Sequence, residues 1–276
     1  MTTLHGMEWN VNKISAFIFD LDGCIYLGNK VYEGSVELLH YLIDSDKKIF
    51  FLSNNSTDQA ETIRQKLINM GLPAEKTTIL VATELIGEYL FENYGSVNVL
   101  PIGTEQLKES LQVQGHKICL SDNEDSYDFV AVGRDTSFTY DTLHKCARYV
   151  MNGSKLIATN LDLYHPGEDG NRVPETGALI AAIQAVTGIE EVQVVGKPFI
   201  YPFNKIIQET GFTLNNCVMV GDNPYTDVEG AHAAGLKTFW ISHGQSFPNE
   251  LGYQPDLTCR SMKELAEIVI TTHSKE

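Results

Sequence analysis

An α/β fold built on a parallel sheet, interrupted by an inserted second α/β segment, is predicted by three features of the sequence. Short β-rich apolar runs alternate with longer amphipathic stretches. Several of those runs stop at a polar or charged residue. The chain has 276 residues, long for one compact core and short for two full-sized domains.

Taken in order, Ala16-Phe17-Ile18-Phe19 reads as the first strand and ends at Asp20. A helix-like stretch over residues 35–45 follows, then the run Ile49-Phe50-Phe51-Leu52, ending at Ser53. The middle of the chain alternates by itself, with strands at 97–102, 129–132 and 156–159 and helices at 105–113 and 140–151. A stretch of that size is an inserted domain, not a loop. Afterwards residues 192–195 end just before Lys197, residues 217–220 before Asp222, and residues 238–241 before Ser242-His243-Gly244. The expected division is a core of residues 1–80 and 179–276 and an insertion of residues 81–178. In open parallel sheets ligands bind outside the carboxyl ends of the strands. Strands lying side by side would bring Asp20, Ser53, Lys197 and Asp222 to one spot.

Hydrophobic residues make up 43% of the chain and charged residues 20%, enough apolar material for a core. The net charge of −16, from 20 Lys+Arg against 36 Asp+Glu, repels polyanions and argues against nucleic acid as a partner. A small anion is still admissible, because a metal ion, one lysine and helix N-termini supply a local positive site. The five cysteines, Cys24, Cys119, Cys146, Cys217 and Cys259, have no CxxC spacing and read as reduced thiols. The N-terminal stretch 1–13 lacks a long apolar run, and no apolar run approaches the length that spans a bilayer. These features predict a cytoplasmic protein without a membrane partner.

The polar residues at the strand ends suggest a chemistry. In Asp20-Leu21-Asp22-Gly23 a carboxylate fixed at a strand end can attack phosphorus. A second carboxylate two residues on can protonate the leaving alkoxide and then deprotonate water. Gly23 permits a sharp turn beside them. A pair of aspartates capping a turn is equally common. Ser53-Asn54-Asn55 offers a hydroxyl and backbone N–H groups to phosphate oxygens, although Ser and Asn are also ordinary turn and N-cap residues. Lys197, between Gly196 and Pro198, can neutralise both an incoming phosphate and a carboxylate nucleophile, and Pro198 favours a fixed entry into a following helix. Gly221-Asp222-Asn223-Pro224-Tyr225-Thr226-Asp227 suits Mg²⁺, which takes hard oxygen ligands and keeps several waters. Asp20, Asp222 and the main-chain oxygen of Asp22 would hold it, with Asn223 and Asp227 supporting from behind.

These four elements, in this order, resemble the four motifs of the haloacid-dehalogenase-like superfamily. Asn160-Leu161-Asp162, Pro166, Gly170, Pro174 and Gly177-Ala178-Leu179 resemble the end of the cap in its NagD-like, p-nitrophenyl-phosphatase branch. The resemblance runs from about Ile14 to Gly244. It implies a Rossmann-like parallel-sheet core with a smaller inserted α/β cap that selects the substrate and can carry a homo-oligomer contact. It also implies a Mg²⁺-dependent phosphatase acting on small phosphorylated metabolites through an aspartyl-phosphate on Asp20. Asp22 is then the general acid and base, Ser53 with the Asn54 amide and Lys197 bind phosphate, and Asp222 is the metal aspartate.

Two positions depart from the pattern: Cys24 stands where Thr is frequent, and Glu175 where Gly is frequent. Glu175 bears on the cap hinge or the substrate, and His165 lies in the 162–172 loop that the resemblance places over the catalytic site. A dehalogenase is the first rival, but it needs neither Asp22 nor a metal. A phosphomutase or phosphotransferase keeps Asp22 and hands the phosphoryl group to a second substrate. A phosphoacceptor module would keep the pocket without turnover. Sugar phosphates, nucleoside monophosphates, phosphoglycolate and glycerol phosphate all stay open as substrates.

Overall fold

A computed structural model of the protein describes residues 13–118, 126–166 and 171–273. Cys119, Gly170, part of the 162–172 loop and all of the N-terminal stretch except Lys13 lie outside the described residues. The chain divides into two compact units. One contains described residues 13–53, 61–80 and 197–273, and the other contains 54–60 and 81–196, less those outside the description.

The first unit is built on a six-stranded sheet in the order Leu257–Cys259, Lys237–Ile241, Cys217–Gly221, Ala16–Phe19, Lys48–Ser53, Thr78–Val81. Ala16–Phe19 pairs in parallel with both of its neighbours, and the two strands beyond Cys217–Gly221 continue in parallel. All four residues of Ala16–Phe19 are buried, as a parallel strand covered on both faces requires. Phe17 and Phe19 lie with ring centroids 6.0 Å apart, and Phe19 lies 6.4 Å from Phe51 on the next strand. Burying side chains of this size contributes about 1.5–3 kcal/mol each, which fixes the central strands and the residues at their ends.

The second unit holds a five-stranded sheet in the order Gln193–Val194, Lys155–Ala158, Phe129–Val132, Asn98–Ile102, Lys117–Ile118, with parallel pairing throughout. Its core gathers Leu100, Val130, Val132, Tyr149, Ile180 and Ile183. Helices Glu105–Val113 and Tyr140–Met151 start at Thr104 and Thr139, whose side chains accept from Leu107 N and Thr142 N. Each cap satisfies an N–H that the helix itself leaves unpaired.

One expected strand lies in the other sheet. The apolar run at 192–195 does not join the first sheet: Gln193–Val194 pairs with Lys155–Ala158 in the second. The second unit accordingly runs to Gly196, past the expected boundary at 178, and takes in residues 54–60 as well. Helix Thr176–Thr187 straddles the expected boundary, with Ile180 and Ile183 in the second core. A short apolar run shows that a strand forms but carries no information about which sheet accepts it. Pro198 also differs: it follows a cis peptide, and the next helix, Tyr201–Thr210, begins three residues later with Pro202 in its first turn.

Candidate active site

Asp20 leaves the central strand at its carboxyl end, its N–H donating to Val220 O at 2.9 Å. Its carboxylate is almost wholly buried. Lys197, 2% exposed, donates to Asp20 Oδ1 at 2.5 Å and to Asp227 Oδ1 at 2.6 Å. One buried cation therefore ties together two buried carboxylates 207 positions apart in the chain (227 − 20). Burial alone would lower the Lys197 pKa, but the two carboxylates outweigh it and raise the value. The lysine stays charged.

Asp222 follows strand Cys217–Gly221. Carboxylate oxygens of Asp20, Asp222 and Asp227 lie within 4.8 Å of one another. Asp227 is already engaged, accepting from Lys197 and from Asn223 N at 3.1 Å. Asp222 Oδ1 is buried and has no hydrogen-bond partner among the described residues. An unpaired buried carboxylate oxygen is costly, and the donor set is all hard oxygen. These residues fit a divalent cation held by Asp20 and Asp222. Burial, opposed by Lys197 and reinforced by Asp227, raises Asp20 to about 7. Burial and then Asp20 and Asp227 raise Asp222 to about 8. A bound cation would reverse both shifts, since it favours the ionised form.

The turn after Asp20 is shaped by Gly23, which takes φ 90°. A Cβ there would strike the Asp222 carboxylate. Asp22 is exposed, its carboxylate absent from the buried cluster, and its Oδ2 accepts from Tyr26 OH at 3.3 Å. Tyr26 begins a short antiparallel pair, Tyr26–Leu27 with Lys30–Val31. Its signal was the Leu27-Gly28-Asn29-Lys30 turn. Lys66 Nζ lies 4.2 Å from the Tyr26 ring centroid.

Ser53 ends the strand beside the central one and is buried. Asn54, the next residue, belongs to the second unit, where its Nδ2 donates to Asp162 Oδ2 at 3.1 Å and its carbonyl accepts from Asn160 Nδ2 at 2.8 Å. Behind Asp222, Asn223 accepts from Tyr225 N at 2.9 Å and opens a π-helical turn, Pro224–Val228, that returns Asp227 to the lysine. Such turns often mark functional sites, and no periodicity in the sequence announced it. Cys24 is fully buried beside the cluster, its Sγ–H donating to Val220 O at 3.6 Å. Burial, and then the Asp20 charge, lift its pKa well above the usual range, so it remains a thiol.

In the second unit His165 Nδ1 donates to Glu175 Oε1 at 2.6 Å, and Arg134 Nη1 lies 3.5 Å from the same oxygen. Nothing in the local sequence marks Arg134. Its role here depends on a tertiary contact that no local pattern encodes.

A family model described as haloacid dehalogenase-like hydrolase matches residues 17–117, and a second, HAD-hydrolase-like, matches residues 194–265. A 4-nitrophenylphosphatase from Thermotoga maritima is 32% identical, covering 94% of this chain and 98% of its own, with TM-score 0.83. The chain belongs to the haloacid dehalogenase-like hydrolases. A nagD protein is similar at 31% identity, with 95% and 99% coverage and TM-score 0.82. The acid sugar phosphatase of Staphylococcus saprophyticus is 29% identical over 94% of this chain and 98% of that protein. These likenesses match the NagD-like branch of the haloacid dehalogenase-like hydrolases. Among the described residues no helix is long and apolar enough to cross a membrane.

Proposed function

We propose that this member of the haloacid dehalogenase-like hydrolases is a Mg²⁺-dependent phosphatase that hydrolyses small phosphorylated metabolites, sugar phosphates foremost, through an aspartyl-phosphate on Asp20. It is a hydrolase of phosphoric monoester bonds, in line with the phosphatases it is similar to. The single observation that carries the mechanism is the buried Asp20–Lys197–Asp227 bridge with the unpaired Asp222 oxygen beside it. The sugar assignment is supported by the names of relatives, acid sugar phosphatase and the sugar-phosphatase AraL of Bacillus subtilis.

Mg²⁺ held by Asp20, Asp222 and the main-chain oxygen of Asp22 would supply positive charge against the phosphoryl oxygens. The chain's own residues do the rest. Lys197 favours the ionised form of Asp20 against its burial and holds it in place, and draws the anionic phosphoryl group toward a carboxylate that would otherwise repel it. Asp20 attacks phosphorus in line, forming the acyl phosphate as the P–O bond to the leaving group breaks. Asp22, exposed at the mouth, gives its proton to the leaving oxygen and then takes one from the attacking water. Hydrolysis of the acyl phosphate releases inorganic phosphate and restores Asp20. Ser53, with the amide of Asn54, binds the phosphoryl oxygens. The inserted unit reads the remainder of the substrate, and the protein works in the cytoplasm.

The test is Asp20→Asn, which keeps shape and removes the attacking charge. Turnover should collapse by about 10³-fold or more while the folded protein is retained, and acid-quenched wild type should carry label from a ³²P-phosphoester where the variant does not. Substantial phosphatase activity in the variant would exclude covalent catalysis at Asp20.

A further inference from the structure

We infer that His243 is a positioning residue that holds the Asp22-Gly23 turn in its working geometry. His243 follows strand Lys237–Ile241 and has a left-handed backbone, φ 48°. A side chain in that conformation is uncommon and persists where its surroundings over-determine it. Here they do. Its Nε2–H donates to Gly23 O at 2.7 Å, across 220 positions of sequence. Its ring packs on Tyr32 with centroids 5.0 Å apart, and Tyr32 N donates to Ile25 O at 3.0 Å, so the platform belongs to the same segment as the turn.

The other polar group of Gly23, its N–H, donates to Tyr26 O at 2.8 Å. Gly23 is thus held through both backbone groups, and its missing side chain makes room for Asp222. Asp22 immediately precedes this clamped residue. A carboxylate that must donate a proton at one moment and accept one at another needs a fixed backbone beneath it, and so does a main-chain oxygen offered to a cation. His243 reaches across from a different strand and supplies the clamp at a point the aspartate motif cannot reach itself.

The inference rests on Asp22 acting as general acid and base, and the experiment separates the two. His243→Gly removes the donor and the ring while accepting the left-handed backbone. His243→Gln places an amide N–H near the position of Nε2. Because Gly23 O lies in an exposed hydrogen bond, water can replace the histidine and both variants should fold, as thermal melts would check. Expected for His243→Gly are a kcat on glycerol phosphate lowered about fivefold, the equivalent of one hydrogen bond, an essentially unchanged KM, and weaker Mg²⁺ binding by calorimetry on the substrate-free protein. His243→Gln should recover most of both losses. Wild-type kcat and Mg²⁺ affinity in His243→Gly, or a His243→Gln no better than His243→Gly, overturn the inference. Asp22→Asn is the control. If it remains fully active, the reading of Asp22 fails and takes the clamp with it. If it is inactive while His243→Gly keeps wild-type kcat and Mg²⁺ affinity, only the clamp falls.

Discussion

Gly23 and Asp222 approach so closely that the carboxylate fills the space a side chain at 23 would need. The glycine is therefore required twice, by its φ of 90° and by the carboxylate beside it. Gly23→Ala should push Asp222 away from Asp20, and the left-handed backbone adds about 1–2 kcal/mol of strain. The expected outcome is a loss of Mg²⁺ binding by calorimetry out of proportion to a modest fall in Tm. A variant that binds Mg²⁺ as wild type does would show that Asp222 is not the partner this glycine protects.

The approach of Asp20 and Asp222 was legible in the sequence, because each directly follows an apolar strand and strand ends meet in a parallel sheet. Lys197 was legible for a reason that proved incomplete: the run before it pairs in the other sheet, and the lysine enters the first unit from the second through Gly196. His243 does follow a strand, but its role could not be read from that, nor could those of Tyr26 and Arg134. Each acts through a contact with a residue whose nearness only the folded backbone creates, and none sits at a position where residue type alone betrays it.

The raised acids make stability depend on pH and metal together. In the metal-free protein burial lifts Asp20 from 3.8 to about 7 and Asp222 from 3.8 to about 8. An acid whose folded pKa exceeds its unfolded one binds more protons when folded, so stability is greatest below about pH 4 for these groups and is lost as pH rises toward 8. Bound Mg²⁺ removes that penalty by favouring the ionised carboxylates. The rise in Tm on adding Mg²⁺ should therefore be larger at about pH 8 than at about pH 5.5, and binding near pH 6.5 should release protons. Calorimetry in buffers of different ionisation enthalpy measures the release directly. Equal Tm shifts at both pH values, with no proton release, would place Mg²⁺ elsewhere.

Glu175 bears on substrate choice in the proposed function. His165 stands on strand Tyr164–Pro166, which pairs antiparallel with Arg172–Pro174, and Glu175 follows that second strand. The Glu175 Oε1 atom accepts from His165 Nδ1 and faces the Arg134 guanidinium. Since a carboxylate only accepts, the Nδ1 of His165 carries a proton in this contact. Glu175 thus fixes both the hairpin and the face of the imidazole it shows to its surroundings. On the reading that the inserted unit selects substrate, releasing this tie changes which esters are preferred without touching phosphoryl transfer. Glu175→Gly, the residue frequent at this position in the branch, and the pair Tyr164→Ala/His165→Ala should each lower kcat/KM for the best sugar phosphate by about tenfold. p-Nitrophenyl phosphate, whose leaving group departs without help, should lose about twofold or less. The partly exposed ion pair contributes about 1 kcal/mol at most, so Tm should fall by only about 2–4 °C. The same proportional loss on every ester, or none on any, would mean that this hairpin does not read the substrate.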